Sequence, residues 1–337
     1  MKWLSHLPCL ALMSAIPAAA FAQAAPDAGL YVNSGAIWTL RTENDKFSTV
    51  PGGTDRYYTA GQQISWTSAP NDVPEFLAQA GRAAGGAGTT WLSINLEQDL
   101  YTPYNTTRIH PDPKDWPYAG HLAATAALIQ DSADTRTMLS AGLGVIGPSA
   151  GGRIVQNGFH VIVGDQQSHG WGAQMPDEPA IQFNATRIWR MRLVDVGPFE
   201  ADVLPEAAIG LGTVRAYGEV GTRLRIGHGL ARDFGPARIT SGQSGGDAYL
   251  PDDKTGYYLF VGANGQAIAR DAFLDGDLFR PSISVHRRSL LGQFEGGVAL
   301  LWHGARISYT HTWQTDSFQG QKAGLFNFGS IAVSFRF

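Results

Sequence analysis

Residues 90–100 read TWLSINLEQDL, and apolar and polar side chains alternate through this stretch. Successive side chains of a β-strand point to opposite faces, so the two kinds of residue separate. The apolar set is Leu92, Ile94, Leu96 and Leu100, and the polar set is Ser93, Asn95, Glu97 and Asp99. A strand with one apolar and one charged face is typical of a transmembrane β-barrel, in which the strands face lipid on one side and the lumen on the other.

The composition of the whole chain supports this interpretation. Charged residues make up only 16% of the 337 residues, which is low for a soluble protein. After residue 22, no run approaches the ~18 apolar residues that a membrane-spanning helix needs. The net charge of −4 lacks the basic excess of nucleic-acid-binding proteins, so we expect no nucleic-acid partner. Strands rather than helices are therefore expected to cross the membrane.

The stretch 326–337, FNFGSIAVSFRF, is a second alternating strand. Its apolar residues are expected to lie mostly on one face: Phe326, Phe328, Ile331, Val333, Phe335 and Phe337. An aromatic, amphipathic final strand that ends in Phe is typical of bacterial outer-membrane proteins. The alternative is an edge strand of a soluble β-sandwich, in which so many exposed aromatic side chains would promote aggregation.

The start of the chain has the pattern of a secretory signal peptide. Lys2 precedes an apolar run that ends in Ala20-Phe21-Ala22, a small-x-small cleavage pattern. We therefore predict a signal peptide over residues 1–22, with a second possible cleavage site after Ala24. Cys9 lies in this segment and is the only cysteine in the sequence, so neither disulfides nor thiol catalysis are expected in the mature chain.

Twelve segments of the remaining chain read as strands. They are approximately 38–44, 58–67, 90–100, 119–130, 135–146, 180–192, 199–210, 213–226, 256–271, 288–302, 304–315 and 326–337. The count is even, as single-chain bacterial barrels require. We predict an all-β, antiparallel transmembrane barrel of about 12 strands over residues 23–337. Charged lumen side chains such as Asp99, Glu219 and Arg225 are expected to fill its interior with salt bridges.

The connections between these segments differ in length. Residues 46–56, 101–117, 147–179 and 227–255 form long connections, and long loops of such barrels are expected to be extracellular. Within 147–179, Ile154, Val155 and Phe159 recur at near-helical spacing, which predicts a short helix over about 151–163. Gly164 is a suitable helix stop. We expect this helix to rest against the barrel.

Three polar clusters fall on the same predicted outer rim. They are residues 42–45 at the end of the first strand, residues 55–61 at the start of the second, and Gln156, Asn157 and His160 on the loop helix. Gln156 and His160 are four residues apart and therefore share one helix face. A neutral imidazole is well suited to act as a general base for water. Asp45 offers the hard oxygen that Ca²⁺ prefers, and the ion would polarise an ester carbonyl.

Five motifs at these positions resemble the lipid A 3′-O-deacylase family. They are END at 43–45, DRYYTAG at 55–61, IGPSAGGRIVQNGFH at 146–160, GWGAQ at 170–174 and DEP at 177–179. The similarity is continuous from about residue 36 to residue 185, and the long middle motif is the most specific part. The resemblance implies a twelve-stranded outer-membrane barrel with Ca²⁺-dependent activity on lipid A.

The resemblance also implies roles for individual residues. His160 matches the general base, Asn44 and Asp45 match an active-site Asn-Asp pair, and Thr59 and Gln156 match a rim hydroxyl and a helix amide. In the stretch after the third strand, where some members carry basic residues that face lipid A phosphates, this chain has Arg108. Where a relative has a carboxylate six residues after the histidine, this chain has Gln166, so Asp165 or Glu178 is expected to supply the second Ca²⁺ ligand.

The predicted function is hydrolysis of the 3′-linked acyloxyacyl ester of lipid A at the extracellular leaflet of the outer membrane. The implied partners are lipopolysaccharide, outer-membrane lipid and the barrel-assembly machinery during biogenesis. A narrow channel, a structural barrel and an outer-membrane phospholipase remain alternatives, although no histidine is followed by a phospholipase-type Ser-Asn-Gly run. The other histidines, including His121, do not recur at metal-ligand spacings, so the sequence predicts no zinc site.

Overall fold

A computed structural model describes residues 35–47, 55–239, 248–250, 254–322 and 324–337. The predicted signal peptide, including Cys9, lies outside these residues. No helix in the described part of the chain is both long enough and apolar enough to cross a membrane.

Antiparallel strands make up most of the described chain and close into a barrel. The strand segments are β1 (Ile37–Asn44), β2 (Tyr57–Thr67), β3 (Thr89–Thr102), β4 (Ala119–Asp131), β5 (Thr135–Ile146), β6 (Glu178–Trp189), β7 (Met191–Val196), β8 (Phe199–Gly212), β9 (Arg215–His228), β10 (Gly256–Asp271), β11 (Leu290–Trp302), β12 (Ala305–Gln314) and β13 (Phe326–Arg336). Pairing of β1 with β13 and of β6 with β8 closes the sheet.

Segments β6 and β7 are two parts of one barrel strand, and both pair with β8. Arg190 interrupts this strand, where its backbone N–H donates to the carbonyl of Asp134. The barrel therefore has twelve strands, and the predicted fold class is confirmed.

Side chains alternate between the lumen and the outer wall as expected. In β3, Ile94 and Leu96 are 44% and 50% exposed on the outer wall, whereas Asn95, Glu97 and Asp99 are buried in the lumen. The last strand departs from the prediction. Its second half exposes Val333 on the outer wall, but Phe326 and Phe328 are buried and pack against Tyr57 and Tyr58. These two rings therefore belong to an internal aromatic cluster.

The connections divide between two ends of the barrel. The chain finishes β13 at the terminal end, where Phe337 donates a backbone hydrogen bond to Ala36. The distal end carries the described residues 45–47, 55–56, 103–118, 147–177, 272–289, 315–322 and 324–325. The grouping of 227–255 with these loops was wrong, because β9 runs back to the terminal end before this connection begins.

Part of the misassigned connection, residues 229–239, enters the lumen instead of extending from the barrel. Asp233 accepts from Arg225, Arg306 and Tyr258 at 2.6–3.0 Å. Further along, the backbone N–H of Ile239 donates to Glu43 of β1 at 2.9 Å. These ion pairs and hydrogen bonds confirm the expected salt-bridged interior, and the segment fills space that a channel would need to keep open.

Within the described ranges, three α-helices accompany the barrel: α1 (Glu75–Gly85), α2 (Gly152–Val163) and α3 (Ala272–Asp275). Helix α1 at the terminal end was not predicted. It packs closely because Gly81 and Gly85 leave room for the Gln130 side chain of β4. Helix α2 is the helix predicted over about 151–163. Gly151 and Gly164 bound it with left-handed backbone at φ 71°.

Candidate active site between helix α2 and the barrel wall

Helix α2 lies against the outer wall of the barrel near its distal end. A Cβ on Gly152 would come within 2.7 Å of the Trp171 ring and 3.1 Å of Leu100. Leu100 has the outward parity of Leu96 but is only 2% exposed, because Trp171 and the start of α2 cover it. Gln98, also outward on β3, donates to the carbonyl of Ala150 at 2.5 Å. Residues between the helix and the wall are therefore sheltered from solvent near the distal end of the barrel.

One face of α2 is buried against this wall. Gly152, Gln156 and His160 recur every fourth residue and are the buried members of the helix. The opposite face is apolar and open, with Ile154 78% and Ile162 83% exposed. A soluble helix would direct such residues into a core. This helix instead points its polar residues to the barrel and its apolar residues outward.

His160 is fixed through both nitrogens of its ring. Nδ1 lies 2.5 Å from the backbone carbonyl oxygen of Gln166. A carbonyl can only accept, so Nδ1 carries a proton and donates it there. Nε2 lies 2.7 Å from Oδ2 of Asp55, which precedes β2. The contact joins the loop helix to the first half of the barrel, and Nε2 is the atom that can exchange a proton.

Asp45 lies at the end of β1 in a short 3₁₀ turn over Asp45–Phe47 and is buried. Its Oδ2 accepts the backbone N–H of Arg56 at 3.2 Å. Its Oδ1 is buried and has no hydrogen-bond partner among the described residues. Burial, and then the charge of the neighbouring Asp55, raise the pKa of Asp45 well above its ordinary value. A buried carboxylate oxygen without a partner, beside a second carboxylate, is a group that a cation would stabilise.

Lys46 and Asp165 form the margin of this cluster. The Lys46 ammonium contacts the Asp165 carboxylate and lies 4.0 Å from Oδ1 of Asp55. The structure thus brings Asp165 next to Asp55 through Lys46. Asn44 is adjacent in sequence, but its side-chain oxygen accepts the backbone N–H of Lys46 at 2.7 Å and so shapes the turn.

The two predicted supporting residues are buried beside the cluster. Gln156 accepts from the indole N–H of Trp171 at 2.7 Å, and its own Nε2 is buried with no partner among the described residues. Thr59 is the extra residue of a β-bulge between Tyr58 and Ala60. Its hydroxyl lies 2.6 Å from that of Thr102, which donates to the carbonyl of Asp55 at 3.0 Å. Thr59 therefore supports the loop that carries Asp55, as bulges near functional sites commonly do.

Two predicted residues are not brought to the cluster. Glu178 begins β6 and accepts the backbone N–H of Leu278 at 2.7 Å, with Arg270 at 3.9 Å. These partners belong to β10 and the loop that follows it, so the geometry does not support Glu178 as a ligand shared with Asp45. Arg108 is exposed on the 103–118 connection. Its backbone carbonyl lies close to Gly170, so this connection passes beside the Trp171 segment.

Asp55 contacts His160, but it received no individual role from its position in the sequence. It lies in the quoted motif at 55–61, yet the residue it contacts is 105 positions away on another loop. Neither spacing nor periodicity reports such a contact. The one available signal was that Asp55 and His160 both fall on the predicted outer rim.

Comparisons with known proteins agree with this fold. The sequence pattern of the family described as outer membrane protein LpxR matches residues 7–337. Among solved structures, LpxR from Salmonella typhimurium superposes with a TM-score of 0.75 at 18% identity, covering 89% of this chain and 100% of that one. The beta domain of the Bordetella autotransporter Brka gives a TM-score of 0.43 at 11% identity, covering 90% and 99%.

No curated protein matches the chain. The family match spans nearly the whole sequence, and the barrel has the same architecture as the Salmonella protein. The chain therefore belongs to the LpxR family of outer membrane proteins, the lipid A 3′-O-deacylase family that its motifs indicated.

Proposed function

We propose that this outer-membrane protein is an esterase that hydrolyses the 3′-linked acyloxyacyl ester of lipid A. The observation that carries the proposal is the juxtaposition of His160, Asp55 and Asp45 on the outer wall, where a lipid in the membrane can reach them. An active site for a soluble substrate would open to the lumen or to water. This cluster lies between the wall and a helix whose free face is apolar.

The barrel wall below the cluster offers a surface for acyl chains. A groove of about 730 Å³ runs across β1, β2, β3 and β13 on the outer wall. Leu40, Ile64 and Leu96 line its apolar part, whereas Thr42, Gln62 and Gln98 line the part nearer the distal end. A lipid with apolar chains and polar ester and sugar groups matches this gradient. The exposed apolar face of α2 would extend the same lipid contact.

The loops at the distal end support one orientation in the membrane. Five long connections lie at the distal end, and long loops of outer-membrane barrels are extracellular. The cluster at the distal end would therefore face the outer leaflet, which carries lipopolysaccharide. Arg108, exposed on the 103–118 connection, would contact a lipid A phosphate.

His160 would act as the general base. Its Nδ1–H is held by the Gln166 carbonyl, and in the resting contact a proton lies between Nε2 and the Asp55 carboxylate. Once that proton has passed to solvent and a water has entered between Nε2 and Asp55, the neutral imidazole takes a proton from this water. The water oxygen bonds to the ester carbonyl carbon while Asp55 stabilises the imidazolium. When the carbon–oxygen ester bond breaks, His160 returns the proton to the departing sugar alkoxide. The products are a free acyloxyacyl acid and a lipid A with a 3′-hydroxyl.

The residues present fit the calcium ion that the family resemblance implies. Asp45 has a buried carboxylate oxygen with no partner among the described residues, and it lies beside Asp55. Together these carboxylates offer the oxygen ligands that Ca²⁺ prefers. Asp45 and Asp55 would hold the ion, and Asp165 is near enough to join them by leaving Lys46. When bound, Ca²⁺ would polarise the ester carbonyl and stabilise the developing oxyanion.

Gln156 is proposed as a positioning residue. Trp171 holds its carbonyl oxygen, which leaves the buried Nε2 free to donate toward the ester or the attacking water. A buried donor without a partner costs about 1–3 kcal/mol of stability. We therefore expect a bound substrate or water to accept this hydrogen bond.

The proposal is tested by the lipid A of cells that express this protein. We expect mass spectrometry to show lipid A that has lost one acyloxyacyl group from the 3′ position, whereas cells with an empty vector keep it. The folded barrel must be present in the outer-membrane fraction. Unchanged lipid A from such cells in calcium-containing medium would contradict the assignment and leave the structural or phospholipase alternatives.

A further inference from the structure

A second cluster of potential metal ligands lies on the lumen side of the barrel, separate from the Asp45 site. Glu97 and Asp99 of β3 and His121 of β4 each offer one ligand atom, and these atoms lie within 4.8 Å of one another. All three residues are buried, with exposures of 3%, 0% and 2%. The cluster lies apart from the proposed chemistry, which uses the outer side of the wall.

The strand register brings these three residues together. Glu97 and Asp99 are two apart on β3 and therefore share its lumen face. Asp99 is directly opposite His121 in the antiparallel pairing of β3 with β4. No zinc site was expected from the sequence, because its histidines do not recur at short metal-ligand spacings. Ligands that pair across strands lie 22 residues apart here and escape such a search.

The histidine is only half satisfied. His121 Nδ1 lies 3.0 Å from Oδ2 of Asp99, whereas its Nε2 is buried and has no partner among the described residues. The ring also lines a small cavity together with Glu97, Thr125 and Gln182. The cavity volume is about 10 Å³, which is room for about one water or ion. A buried imidazole nitrogen beside such a cavity can either donate an N–H hydrogen bond or offer its lone pair. Here it does neither to any described residue.

Carboxylates are concentrated around the same point. The Tyr58 hydroxyl lies 2.9 Å from Glu43 and 3.3 Å from Asp99, and Gln63 donates to Glu97 at 3.2 Å. Arg41 reaches this group through Gln63. Buried carboxylates that lie close together repel one another, and a bound divalent cation offsets that repulsion.

We propose that Glu97, Asp99 and His121 form a structural site for a divalent transition-metal ion, with Zn²⁺ as the representative ligand. One imidazole nitrogen with carboxylate oxygens is a donor set for zinc and similar ions, whereas Ca²⁺ takes oxygen ligands alone. The ion would cross-link β3 to β4 directly behind the wall on which α2 rests. This site is independent of the proposed esterase activity, because none of its residues belongs to the catalytic cluster.

The test uses the full-length barrel, purified in detergent and stripped of metal with a chelator. Calorimetric titration with Zn²⁺ is carried out in excess Ca²⁺, so that the Asp45 site cannot account for the binding. We expect about one tight Zn²⁺ equivalent per chain and a higher thermal unfolding midpoint once it is bound. In His121→Gln the affinity should fall at least about tenfold, since even outer-shell changes cost that much.

Two further variants keep the result interpretable. Asp45→Asn should bind Zn²⁺ as the unmodified protein does, because its change lies in the other cluster. Glu97→Gln should weaken binding like His121→Gln, and it replaces that variant if His121→Gln does not fold. Equal Zn²⁺ affinity in folded Glu97→Gln or His121→Gln and in the unmodified protein would overturn the proposal. So would the absence of tight Zn²⁺ binding by the unmodified protein.

Discussion

Replacing His160 by alanine is expected to lower the rate of lipid A deacylation by about 10²–10⁴-fold, the usual contribution of a general base. The structure gives the reason, because the Gln166 carbonyl fixes the proton on Nδ1 and leaves Nε2 as the only ring atom that can accept one. The barrel should remain folded, since His160 lies on a loop helix outside the strand pairing. Initial rates of purified protein on lipid A, measured by mass spectrometry, provide the comparison.

The matched control for this prediction is His169→Ala. His169 is exposed on the same connection as His160 and follows the segment that returns from the helix. Its replacement should leave the rate within a factor of about two, the range of a neutral surface change. If the two variants lose activity equally, or if His160→Ala stays fully active, then His160 is not the base.

Replacing Asp45 by asparagine is expected to have two opposite effects. The rate at saturating Ca²⁺ should fall by about 10²-fold or more, because a lost Lewis-acid contribution is worth several kcal/mol. Stability without Ca²⁺ should rise, since the change removes a buried charge. Asparagine keeps the shape of the side chain and can still accept from the Arg56 backbone.

The effect on stability should also appear in its dependence on pH. The pKa of Asp45 is raised in the folded protein, so the folded state disfavours its ionised form. Without Ca²⁺, stability should therefore fall as pH rises from the ordinary carboxyl pKa toward the raised one. Thermal unfolding at pH 4 to 8 in chelator should show this loss in the unmodified protein and a smaller loss in Asp45→Asn. The control is Asp134→Asn, an exposed carboxylate at the terminal end. Should Asp45→Asn retain full Ca²⁺-dependent activity, another residue must bind the ion.

The strands could be predicted because lipid-facing apolar residues and lumen-facing polar residues alternate along each barrel strand. In β3 the lipid and lumen faces differ at every step, so Leu96 and Glu97 could be assigned from sequence neighbours alone. The segment 229–239 could not be placed in this way. Loop length favours the outside, but Asp233 finds Arg225 and Arg306 inside the lumen, and these partners come from two different strands.

The part of the candidate site that lies on helix α2 or in the quoted motifs could be predicted from the sequence. Gln156 and His160 share a helix face because they are four residues apart, and the structure buries both. The contact of Asp55 with His160 was not predicted, because it joins two different loops. Glu178 was proposed as a ligand by similarity alone, and the structure gives it partners near Leu278 instead. Spacing along a chain does not report which of several carboxylates shares a site in space.

The proposed activity is the calcium-assisted removal of one specific acyl group from lipid A by the cluster on the outer wall. It is tested most directly with purified protein, lipid A that carries a 3′-acyloxyacyl group, and position-resolved mass spectrometry of the product. With Ca²⁺ we expect loss of the 3′ group alone and release of the intact acyloxyacyl acid, and with a calcium chelator we expect no loss. Intact lipid A in the presence of Ca²⁺, or cleavage at another position, would contradict the account.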